Sequence, residues 1–156
     1  MNNPFDFEGD LLLYDTPDGG DIQIENGLFV SEKKFSTAVY LSLFGGNKDD
    51  PAKVKNNKEW WGNLLNITKN EKLRSRFQNI IFGLPMTVKH IHEAEMAAAM
   101  DLNWFIKEKI ADEINVYGQA IGKNRFNLKV EIKKDILTLF ESTYSLLWGV
   151  GSGGSV

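Results

Sequence analysis

Cysteine is missing from the 156 residues, so disulfide frameworks, thiolate nucleophiles and cysteine-ligated zinc or iron–sulfur sites are excluded. Long apolar runs are missing too. None approaches the roughly 20 residues that span a bilayer, and the start, Met1-Asn2-Asn3-Pro4-Phe5-Asp6, lacks the basic-then-apolar pattern of a signal peptide. No membrane partner is expected, and the chain reads as one used in a cytoplasm or built into a particle assembled there. Neither sign of charge dominates: the net charge is −3, too near balance for a dominant phosphate-backbone binder. Nucleic acid is not an expected partner. Nucleophile elbow, phosphate loop and dinucleotide fingerprint are absent as well, so no cofactor is expected. Gly19-Gly20 and Gly45-Gly46 lack the lysine or the strand–turn–helix setting that phosphate binding needs, and read as turns.

What is present fits one α+β domain over residues 1–148, large enough to bury most of its apolar surface without a metal. Residues 1–10 form a polar arm with two Phe. Leu11-Leu12-Leu13-Tyr14 reads as a strand ended by Pro17-Asp18-Gly19-Gly20, whose residues suit a turn. Asp21 to Glu25 alternates, and Asn26-Gly27 is a strong hairpin signal returning through Leu28-Phe29-Val30. This N-terminal meander is followed by a short helix from Ser36 to Phe44, stopped by Gly45-Gly46. Residues 47–57 form a solvated loop. In Trp60-Trp61-Gly62-Asn63 at least one indole is expected to be buried. A helix from Glu71 to Phe82, capped by Thr68 or Asn70, presents Leu73, Phe77, Ile80 and Ile81.

The longest periodic stretch is Thr87 to Asp112, with Thr87 as its N-cap. At 100° per residue, Val88, Ile91, Ala98, Leu102, Phe105 and Ile106 share one stripe, while Met96, Met100 and Trp104 fall nearly opposite. A helix apolar on two sides requires two covers. Strand-like residues begin at Ile114 and continue loosely to Gly122. Arg125 to Lys133 alternates cleanly, with Phe126, Leu128, Val130 and Ile132 on one face. A tight turn at Lys134-Asp135 then leads to Ile136–Phe140, predicting an antiparallel C-terminal hairpin. The sheet is expected to pack on two or three helices. Leu146-Leu147-Trp148 is a last apolar patch, and residues 149–156 form a Gly/Ser-rich tail expected to be flexible.

Titratable residues suggest chemistry and then argue against it. His90 and His92 are two apart and diverge by about 200° on a helix, so they cannot share a metal. His92 and Glu95 share a face but supply at most half a site, and no metal site is expected. Glu95, placed in the apolar stripe, could serve as a general acid. A glycosidase needs a second carboxylate across a cleft, and Asp101 points about 120° away on the same helix. An ion pair with Arg74 or Arg76, or a bond to a backbone amide, is the ordinary use of Glu95. Lys53, Lys55 and Lys58 near the tryptophans are largely cancelled by Asp49, Asp50 and Glu59, as in a solvated loop.

The order of motifs resembles a known family. An Asp-Gly-Gly-Asp hairpin over Asp18 to Val30 precedes Thr37-Ala38-Val39-Tyr40-Leu41-Ser42-Leu43-Phe44 and Trp60-Trp61-Gly62-Asn63. A helix follows, then a longer one ending in Leu102-Asn103-Trp104-Phe105-Ile106, a strand, and a hairpin before Leu147-Trp148. Over nearly the whole chain this resembles the Mu-like phage baseplate protein family, gene product 46, itself similar to the small baseplate wedge protein of contractile-tailed phages. The resemblance implies a non-enzymatic structural subunit of a contractile-tail baseplate in the virion, assembled in the host bacterial cytoplasm. Its implied partners are other baseplate and tail proteins, with the tail sheath a further candidate and self-association left open. The expected contact residues are Trp60, Trp61, Met96, Met100 and Trp104. The alternatives are a peptidoglycan hydrolase of the tail using Glu95 as acid, and a free-standing binding module.

Overall fold

The computed structural model describes the backbone of residues 10–11, 13–16, 19–22, 24–25, 28–29 and 31–32, and residues 35–50, 60–65 and 72–149 with their side chains. The chain divides into two compact units, Met1–Tyr40 and Leu41–Val156. In the first, the described residues form three short antiparallel ladders, one enclosing the other two in sequence. The outermost pairs β1 (Asp10–Leu11) with β6 (Ser31–Glu32). Inside it β2 (Leu13–Thr16) pairs with β3 (Gly19–Ile22). After that hairpin, β4 (Ile24–Glu25) pairs with β5 (Leu28–Phe29), in register Ile24↔Phe29 and Glu25↔Leu28. The strands that the turn chemistry anticipates on either side of Asn26-Gly27 do pair. The turn residues themselves, like the caps Thr68 and Asn70, most of the loop of residues 47–57 and the tail beyond Gly149, lie outside the described residues.

Helix α1 (Ser36–Phe44) matches its expected bounds. The second unit is α+β, a three-stranded antiparallel sheet packed on helices. Strands β7 (Glu113–Gly122), β8 (Arg125–Lys134) and β9 (Leu137–Leu147) lie in the order β7-β8-β9. Phe126, Leu128, Val130 and Ile132 of β8 and Phe140 of β9 are buried on one face. The other face is polar: Lys129 pairs with Glu141 at 2.6 Å, and Lys133 with Glu131 at 2.8 Å. Lys129 and Lys133 have raised pKa values and Glu131 a lowered one, in each case chiefly through the hydrogen bond to the partner, which favours the charged form. The two hairpins turn through Asn124 and Asp135, both at positive φ, a conformation these two residue types tolerate.

Strand β9 runs to Leu147 rather than ending at Phe140. Glu141, Ser142, Thr143 and Ser145 carry little apolar signal, but the ladder with β8, from Arg125↔Leu147 to Ile132↔Phe140, holds them extended. Tertiary pairing outweighs the weak local pattern there. A second correction concerns the helix expected from Glu71. It starts only at Phe77, as α2 (Phe77–Gly83), while residues 72–75 have no helical turn.

The long stretch is not one helix either. Thr87 caps α3 (Val88–Leu102) as anticipated, its side chain accepting the His90 N–H at 3.2 Å. Asn103 interrupts it, and α4 (Trp104–Lys107) adds one more turn. The end is a left-handed cap with Lys109 at φ 58 and the Ile110 N–H bonded to the Phe105 carbonyl at 2.9 Å. The buried stripe is also rotated from the expected one. Ala94, Ala97, Ala98, Leu102 and Phe105 are buried, whereas Val88 and Ile106 are exposed. Helix α3 packs against β7 and α2, and small residues on its inner side let those elements approach closely.

Candidate interaction surface

The Trp60-Trp61-Gly62-Asn63 motif forms the 3-10 turn Trp61–Leu64 and divides its labour by residue. Trp60, half-buried, folds over Gly62, where any side chain would overlap its ring. Asn63 is buried and holds Leu73 by both ends of its amide, donating to the Leu73 carbonyl at 2.8 Å and accepting its N–H at 2.9 Å. That leaves Trp61. Its ring tilts against Trp60 at 5.6 Å and stays 69% exposed, beside Leu64 at 80% and Leu65 at 73%. One indole of the pair is thus engaged inside the chain and one is presented outward.

The other expected contacts lie on α3 and α4. Met96 and Met100 are 49% and 70% exposed. They are one helical turn apart, so they form a continuous apolar ridge. Trp104 differs: it is half-buried, stacks on Phe105, and donates its indole N–H to the Ser42 hydroxyl at 2.9 Å. The structure therefore places three of the five expected contact residues outward, and two, Trp60 and Trp104, partly within the fold.

Glu95 takes the ordinary role. Its Oε1 accepts the Gly118 N–H of β7 at 2.7 Å and its Oε2 lies 3.2 Å from His92 Nδ1. Gly118 leaves room for it, since an added Cβ would meet Phe126 at 2.7 Å and the Glu95 Cγ at 3.0 Å. The partners of this carboxylate are Gly118 and His92 rather than Arg74 or Arg76, and Arg74 bonds Asp49 at 3.2 Å. His90 donates from Nδ1 to the Pro85 carbonyl at 2.7 Å. Among the described residues no three His, Asp or Glu side chains are grouped to hold a metal ion, and no helix is long and apolar enough to cross a membrane.

The group that sequence reasoning underrated is Asp101. Its carboxylate accepts the Arg76 N–H at 2.9 and 3.1 Å and the Phe77 N–H at 2.9 Å, capping α2 from α3. Burial pushes its pKa up to about 7 against the opposing pull of these amides and of the Ser75 side chain, with the Asp50 charge adding a smaller upward push. Around it lies a knot of buried polar side chains. Ser75 donates its hydroxyl to the Leu43 carbonyl, and Asn79 donates to the Asn47 carbonyl at 3.1 Å and to Asp50 at 3.2 Å. The only sequence signal was the angular separation of Asp101 from Glu95, which sends the two carboxylates to different elements. Glu95 and Asp101 are each engaged by backbone amides, and the outward apolar residues are the candidate site. Comparison with known protein families and with characterised proteins finds no match for the chain.

Proposed function

We propose that this chain is a non-enzymatic structural subunit of a phage or prophage contractile-tail baseplate, acting by assembly with other baseplate and tail proteins. The order of motifs from Asp18 to Trp148 supports the baseplate assignment. The observation that carries the assembly role is the outward exposure of Trp61, Met96 and Met100, large apolar side chains of the kind enriched in the centres of interfaces. In the proposed setting the subunit is made in the host bacterial cytoplasm and retained in the virion.

Mass spectrometry of purified tail particles tests this directly. The chain should be present in fixed ratio to other baseplate proteins, and its gene's deletion should stop tail assembly. Presence in the cell but not in particles would overturn the proposal. A hydrolase using Glu95 would clear peptidoglycan and lose that activity on Glu95→Gln, whereas the assembly role requires no clearing by either protein.

A further inference from the structure

We draw no further inference here: the strongest candidate, the outward apolar patch of Trp61, Leu64 and Leu65 on the 3-10 turn, belongs to the surface already described, and nothing in the structure shows what covers it.

Discussion

The Oδ2 atom of Asp101 in α3 accepts the backbone N–H of Phe77 at 2.9 Å, the first residue of α2. A helix leaves its first-turn amides unpaired, and the local residue, Arg76, makes no side-chain cap. The cap is therefore borrowed from the neighbouring helix, which joins α2 to α3 by polar bonds as well as by packing. Asp101→Ala should cost about 1–3 kcal/mol by leaving two amides without their acceptor, read by urea unfolding.

The same carboxylate gives stability a pH dependence. With the folded pKa raised from 3.8 to about 7, the native state holds more protons than the unfolded one between these values. Its contribution is complete below the unfolded pKa and is lost as pH rises through about 7. The difference is at most about 4 kcal/mol, since each pKa unit is worth about 1.4 kcal/mol. Unfolding free energies at several pH values from 4 to 8 should fall with rising pH more steeply for the wild type than for Asp101→Asn. Equal slopes would show that this group does not titrate in that window.

Asn63 is the second polar clamp, holding both the N–H and the carbonyl of Leu73. Asn63→Ala removes both bonds and leaves partly buried backbone groups unpaired, a loss of about 1–3 kcal/mol. Trp61→Ala, two residues away on an exposed position, should change stability by less than about 0.5 kcal/mol. A thermal unfolding series containing both variants separates the structural half of the motif from its presented half.

Strong local codes were readable from the sequence alone. Thr87 as a cap, the alternation from Phe126 to Ile132 and the tight turn at Asp135 depend on residues within one turn or one strand, so periodicity and turn chemistry found them. The late start of α2 was hidden because its cap, Asp101, lies 24 positions beyond Phe77. The rotation of α3 was hidden for a related reason: large residues such as Val88 dominate a helical pattern, yet the side of α3 that is buried where it packs on β7 and α2 carries Ala94, Ala97 and Ala98. At the candidate surface, the paired tryptophans were visible as a costly apolar feature. Which of the two faces outward depends on Gly62 admitting the Trp60 ring, a spatial relation that spacing alone does not carry.

Lys109 offers a stabilising test. It occupies the left-handed position that ends α4, at φ 58, where a Cβ costs about 1 kcal/mol and glycine does not. Its carbonyl accepts the Lys134 amine at 2.9 Å, a bond that any residue at the position retains. Lys109→Gly should therefore raise stability by up to about 0.5 kcal/mol after the entropy of the unfolded glycine is charged against it. A fall in denaturation midpoint would mean that the Lys109 side chain contributes more than its strained backbone costs.

Met96 and Met100 separate folding from assembly. Both lie exposed on α3 while its opposite side, Ala94, Ala97 and Ala98, is buried. Replacing the methionines by Ser removes apolar area without opening a cavity, so stability should shift by less than about 1 kcal/mol for the pair. Ala98→Leu would instead force new volume into a closed core and cost about 1–3 kcal/mol. If the ridge contacts a neighbouring tail protein, the double methionine variant should unfold like the wild type yet be depleted from purified particles. Normal incorporation of that variant would remove the α3 ridge from the contact surfaces and leave the Trp61 turn to carry them.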